Sequence, residues 1–276
     1  MSLIDLLLNL AALLLWFQAK AFQKRSRQRS PFSVVPASSA PPIHRVRWLI
    51  AAGVFLFVRG LFYWYVGSRL HWTPAIELGP VSLSFRSDFL TRIILFSVLS
   101  FLLTFGVFYS VLLFGVVLAR KNLGSEPLLR WMRSQLGFLD RLPALILLLL
   151  PFAITGISWC LLEPPLVKLN LIPPPKSWAH LFEQALLIGA SSLLIWKYFI
   201  ATVLLLHLVN SYVYLGSGSL LLFVNTAGQR LLRPFRWIPL RIGPVDFTPL
   251  ALVAALFLGA QFAARGLLWL YLRLPW

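Results

Sequence analysis

The sequence predicts an all-α fold: a polytopic helical membrane protein of about six transmembrane helices in repeated two-helix units, with amphipathic interfacial segments on the cytoplasmic side. Three observations lead there. Of 276 residues, 59% are hydrophobic and only 12% are charged, where soluble domains run nearer half and a quarter. Lys and Arg number 25 against 8 Asp and Glu, a formal charge of +17. The two excesses are segregated, with apolar stretches alternating with basic connections, as a helical membrane protein requires. This layout excludes a soluble enzyme, a secreted disulfide scaffold and a disordered nucleic-acid tail. The single cysteine, Cys160, excludes an intrachain disulfide, a CxxC redox pair and a thiolate-rich metal site.

The apolar stretches cover roughly residues 3–19, 48–66, 91–118, 143–162, 185–208 and 248–272. Each is close to the ~20 residues that cross ~30 Å of hydrocarbon. The first has no basic residues before it and carries Asp5, with its basic cluster following from Lys20 onward. That order predicts a retained helix with its N-terminus outside, not a cleaved signal.

The connections set an orientation. The first carries Lys20, Lys24, Arg25, Arg27, Arg29, Arg45 and Arg47; the third Arg120, Lys121, Arg130, Arg133 and Arg141; the fifth Arg230, Arg233, Arg236 and Arg241. The second and fourth together hold only Arg69, Arg86, Lys168 and Lys176. The asymmetry places the odd-numbered loops in the cytoplasm and both termini outside, in a bacterial plasma (inner) membrane. The loop cations then serve as topology determinants attracted to anionic headgroups, at ~1 kcal/mol each near the surface. Membrane lipids are the expected partners, with other membrane proteins as candidates and no nucleic acid. The first loop, 20–47, is basic and then rich in Pro, Ser and Ala, and reads as a flexible tether.

An internal repeat divides the chain into 1–72, 73–170 and 171–276, each a helix, a basic connection and a returning helix. LLRxxR occurs at 128–133 and again at 231–236. DxxP follows as Asp140 with Pro143 and as Asp246 with Pro249, each opening the next span. In the second copy Arg230, Arg233 and Arg236 recur every three residues with Leu231, Leu232 and Phe235 between them. A helix so spaced lies in the interface, apolar side down and guanidinium groups toward phosphate. The alternative is that these arginines, with Arg130 and Arg133, only anchor their loops. Pro234 limits the helix, Gly243 and Pro244 mark a turn, and Thr248 is expected to N-cap the last helix with Pro249 at its first position. Asp246 lies near that helix N-terminus and within reach of Arg236 and Arg241, which suggests a cap-and-clasp role.

The strings GQRLLRPFRWIP at 228–239 and GPVDFTPL at 243–250 resemble the signature of the YggT family, also called YlmG in photosynthetic lineages. Arg233, Pro234, Arg236, Pro239, Gly243, Asp246 and Pro249 fall on its positions. The preceding HLVNSY at 207–212 is similar to the family's RxLLSW, with His207 in place of its Arg; Gln229 and Arg230 replace its Asp-Pro. The likeness covers about residues 205–270, with a diverged copy at 128–143. It implies a membrane protein of two-helix repeats without enzymatic chemistry, with roles in membrane-protein or cytochrome assembly, osmotic tolerance, and division or nucleoid organisation.

Catalytic patterns are missing from the string. His44, His71, His180 and His207 are scattered without HExxH spacing, and there is no GxSxG or phosphate-binding loop. No catalytic residue, metal or cofactor is therefore expected. The eight acids are placed at span ends or in loops, which argues against a cation-coupled transporter. Away from the span ends the only charges are cations: Arg59, Lys197 and Arg265. Arg59 and Arg265 are close enough to the outer ends to snorkel, whereas Lys197 is nearer mid-span. Aromatic groups at 63–65 and 72, and at 269–276, are expected to anchor at headgroup depth. The leading expectation is a non-enzymatic assembly or organising factor acting through its arginine-rich loops. The alternative is a small-solute or anion channel or transporter with a cation-lined cavity.

Overall fold

The structure is a computed structural model and describes residues 3–27, 43–70, 72–119, 126–213, 216, 218–235, 240–242 and 245–274. The chain is a multi-pass helical membrane protein: among the described residues, six helical stretches are long and apolar enough to cross a membrane. In order, α1 (Leu3–Arg27) and α2 (Ile43–Leu70) precede a hairpin of β1 (Ala75–Leu78) and β2 (Val81–Ser84), followed by α3 (Leu90–Ala119). Next come α4 (Pro127–Leu136) with a 3-10 turn (Gly137–Arg141), α5 (Ala144–Lys168), α6 (Trp178–Ser192), a second 3-10 turn (Leu193–Ile195) and α7 (Trp196–Tyr212). The chain closes with α8 (Ser219–Leu232), a third 3-10 turn (Arg233–Phe235), a short hairpin of β3 (Arg241–Ile242) and β4 (Val245–Asp246), and α9 (Thr248–Arg273).

Several elements differ from the sequence expectation. α1 continues through the basic stretch to Arg27, so helix replaces the start of the expected tether. Its Lys, Arg and Gln residues are good helix formers, and they extend a helix already nucleated in the span. The fifth span is longer than expected: α6, its 3-10 turn and α7 form one stretch, Trp178–Tyr212. Two hairpins interrupt the helical pattern. In the first, Gly79 takes a positive φ of 65°, which its missing side chain permits in a two-residue turn. Ile76, Leu83 and Phe85 are buried, while Ser82, Ser84 and Arg86 are exposed, the period-two alternation of a strand with one covered face.

The chain forms two compact units: Met1–Glu77 with Ser82–Gly106, and Leu78–Val81 with Val107–Trp276. In the first, α1 packs along α2, and α2 meets the first half of α3, where the Ser97 hydroxyl donates to the Leu56 carbonyl at 2.8 Å. Tyr63, Trp72, Phe85 and Phe96 form an aromatic core with centroids 5.2–6.1 Å apart. Tyr63 is thus a buried core residue and not a headgroup anchor, whereas Trp64 and Tyr65 are exposed. Burial of Tyr63 follows from an inward hydrogen-bond partner, described below.

In the second unit α5 packs against α6 and α7 against α8 and α9. Small residues set the first of these distances. A Cβ on Gly189 would come within 2.8 Å of the Phe152 carbonyl oxygen, and one on Gly156 within 3.1 Å of the Ala185 carbonyl oxygen. Close approach of backbones through small residues is how helices associate in lipid, where apolar burial alone supplies little drive. Gly189→Val is expected to cost about 1–3 kcal/mol by overpacking, read as a lowered midpoint of thermal unfolding in detergent. Gly53→Ala, where an added Cβ meets nothing within 4 Å, is expected to leave the midpoint unchanged or raise it.

Candidate functional site

Polar side chains in an apolar bundle mark where its sequence departs from simple packing. In the first unit five of them meet between three spanning helices. α1 supplies Asp5 and Asn9, α2 supplies Arg59 and Tyr63, and α3 supplies Ser100. The first two pairs are spaced four residues apart, so each projects from one helix face. Arg59 is 4% exposed, Asp5 3% and Asn9 0%. Arg59 Nη2 lies 3.5 Å from Asp5 Oδ1 and donates to Ser100 Oγ at 3.2 Å. Its Nη1 donates to Asn9 Oδ1, and Asn9 Nδ2 donates to Ser100 Oγ at 2.9 Å. The Tyr63 hydroxyl donates to the same Asp5 oxygen at 2.5 Å, and its ring lies 5.2 Å from the guanidinium carbon.

This network corrects the sequence reading of Arg59. The side chain does not snorkel outward; it turns into the bundle, because an acid and two neutral acceptors wait there. Asp5, in the first turn of α1, is buried between helices and is not a solvated span-end acid. Asn9 and Ser100 escaped the sequence reading altogether, and Tyr63 entered it only as a headgroup anchor. The recoverable signal was the shared i, i+4 spacing of Asp5 with Asn9 and of Arg59 with Tyr63, one polar face on each of two helices. Chemically the arrangement cancels its charges and joins three helices in one register.

The other two intramembrane cations differ. Lys197, second residue of α7, is half-buried, with its ammonium 4.9 Å from the Tyr198 ring centroid and 5.9 Å from that of Phe257. It lines a groove of about 300 Å3 between Leu193, Trp196 and Ile200 on one side and Gly259, Ala260 and Ala263 of α9 on the other. Arg265 is exposed on α9.

The loop arginines divide by role. α4 and α8 do not rest their apolar faces on lipid alone. Leu129, Met132 and Leu136 of α4 and Phe223, Val224 and Ala227 of α8 share a buried core with Leu112, Val116 and Ala119 of α3. Arg133 Nε pairs with Asp140 Oδ1 at 3.7 Å, tying the LLRxxR of the central segment to its DxxP. Arg230 donates to the Leu118 carbonyl, satisfying one of the carbonyls that a helix leaves open at its end. Arg130 and Arg233 are exposed. Arg236 and Gly243 lie outside the described residues.

The two LLRxxR copies occupy unlike positions. The first opens α4; the second straddles the end of α8, because Pro234 cannot extend the helix beyond Leu232. The DxxP copies are closer in setting. Pro143 is the N-cap residue of α5, and Asp246 in β4 lies directly across from Arg241 in β3. Thr248 is already helical, and Phe247 holds the cap position without a side-chain cap bond. The expected Thr248 cap is therefore shifted by one residue; Thr248 and Pro249 are instead buried in the first turn of α9.

Two smaller features complete the second unit. A Cβ on Gly228 would meet His207 at 2.6 Å, and His207 Nδ1 lies 3.1 Å from Asn225 Oδ1. The string at 207–212 thus packs directly on the one that begins at 228. Near the far end of α5, Trp159 Nε1 donates to Gln184 Oε1 at 3.3 Å, and Gln184 Nε2 lies 2.7 Å from His180 Nε2. With the Gln184 oxygen engaged, its amide donates and the imidazole nitrogen accepts. Among the described residues no three His, Cys, Asp or Glu side chains gather in a metal-ligating group.

Removing one member of a buried ion pair strands the other. Arg59→Leu is expected to destabilise the protein by about 3 kcal/mol, and Asp5→Leu with Arg59→Leu to recover most of that loss. Reversible unfolding in bicelles, run as a double-mutant cycle, measures both. A double-variant loss equal to the sum of the two single losses would show that the pair carries no coupling.

No protein-family model matches the chain, and no match to it was found among curated proteins or among solved structures.

Proposed function

We propose that this multi-pass protein is a non-enzymatic organising or assembly factor of YggT type in the bacterial inner membrane. In this reading the basic connections face the cytoplasm and both termini face outward. The observation that carries it is the position of Arg130 and Arg233. Each sits on or beside a short helix whose apolar face is fixed in the protein core, while its own side chain is exposed. Cations on a rigid platform at the basic end of the spans suit recognition of anionic headgroups or acidic loops of neighbouring proteins. Arg133 and Arg230 have intramolecular partners and serve to hold that platform.

The second reading, an anion channel or transporter, is favoured by the groove beside Lys197 alone. Arg59 contributes nothing to it, because its charge is matched by Asp5.

Arg130→Gln with Arg233→Gln is expected to leave thermal unfolding unchanged and to reduce recovery of crosslinked membrane partners several-fold, quantified by mass spectrometry after crosslinking in native membranes. Arg230→Leu should instead lower the unfolding midpoint. Undiminished partner recovery from the double variant, or a protein-dependent anion flux in proteoliposomes, would count against the organising role.

A further inference from the structure

We infer that the groove holding Lys197 receives a transmembrane helix of a different protein, one that carries a carboxylate near its midpoint. The inference rests on the reading of the protein as an organiser of membrane components, but it uses a surface separate from the loop arginines.

Depth comes first. α7 has 17 residues, so it runs ~26 Å at helical rise, and Lys197 stands at its first turn. On the other side of the 3-10 turn, α6 adds 15 residues, another ~22 Å. Lys197 therefore lies ~22 Å or more along the helix from either end of the apolar stretch Trp178–Tyr212, farther than a four-carbon stem reaches. A charge at that depth is costly and persists where something pairs with it.

Nothing in the protein's described residues supplies an acid to it. Ion pairs among the described residues, such as Arg59 with Asp5, Arg86 with Asp88 and Arg133 with Asp140, leave Lys197 out. The ammonium has only the faces of Tyr198 and Phe257, which attract a cation without neutralising it. A carboxylate from outside would complete the pair.

Shape and charge choose the occupant. The α9 wall is made of Leu256, Gly259, Ala260 and Ala263, and a Cβ built on Gly259 meets nothing within 4 Å. That open, small-residue wall admits a helix backbone at close range. An anionic lipid would have to bring its headgroup to mid-membrane. A second copy docking groove to groove would bring another Lys197 and no carboxylate, since the lining residues include no Asp or Glu. A helix with one buried Asp or Glu meets both requirements.

The test uses the full-length protein in phosphatidylcholine vesicles with fluorescent leucine-rich helical peptides of about 20 residues, bearing a central Glu, Lys or Leu. Energy transfer from the protein to the peptide reports association. The Glu peptide is expected to bind about tenfold more tightly than the Leu peptide. Lys197→Leu, which removes a membrane charge and so should fold, is expected to abolish that preference; Lys197→Glu should transfer it to the Lys peptide. A Glu preference absent from the unaltered protein, or surviving in Lys197→Leu, overturns the proposal. Loss of the preference on adding phosphatidylglycerol assigns the groove to lipid and overturns it too, as does energy transfer between protein copies that the Glu peptide fails to displace. Partner recovery through Arg130 and Arg233 is read separately, with Lys197 intact, so either inference can fail alone.

Discussion

A guanidinium buried between lipid-spanning helices has to be neutralised where it stands, and the arrangement of the first unit follows from that requirement. Arg59 draws Asp5 and Asn9 of α1, Tyr63 of its own helix and Ser100 of α3 into one network. Asn9 offers its carbonyl to Arg59 and its amide to Ser100, while Asp5 accepts from both Arg59 and Tyr63. The result fixes the rotation of α1, a helix whose remaining surface is largely apolar and would otherwise tolerate many orientations. Oriented hydrogen bonds supply a specificity that dispersion between leucine faces does not.

The second unit solves a different problem by related means. Its two short amphipathic helices cover a core built from the ends of the spans, and their arginines end on carbonyls and carboxylates of the same unit. Arg230 on the Leu118 carbonyl closes one helix end, and Arg133 beside Asp140 holds the turn that leads into α5. Arg130 and Arg233, both exposed at this end, are held by a scaffold that does not need those two charges. Close approach at Gly156, Gly189 and Gly228 supplies the rest of the packing.

Much of the fold was legible in the string, for plain reasons. Twenty-odd consecutive apolar residues in lipid have one economical backbone solution, because every amide must bond within its own segment. Hence four spans were placed to within a few residues, while the fourth ran on to Lys168 and the fifth began earlier, at Trp178. Pro234 likewise announced the end of α8. Other features depended on partners distant in sequence. Arg59 looked like a snorkelling cation, since seven residues from a helix end is within its reach and nothing nearby revealed Asp5. The LLRxxR copies looked equivalent, yet one begins a helix and the other ends one, since a single proline changes what the backbone can do next.

The sequence alone determined that this chain crosses a membrane repeatedly, which of its connections are basic, and that Pro234 ends α8, because these depend on local hydropathy, charge and backbone sterics. Only the tertiary structure decided which charges are spent inside the protein and which remain available. Asp5 and Arg59 are separated by more than fifty positions, and no local rule relates them. Their pairing exists because three helices pack with those faces inward, and the same packing leaves Lys197 beside an open groove.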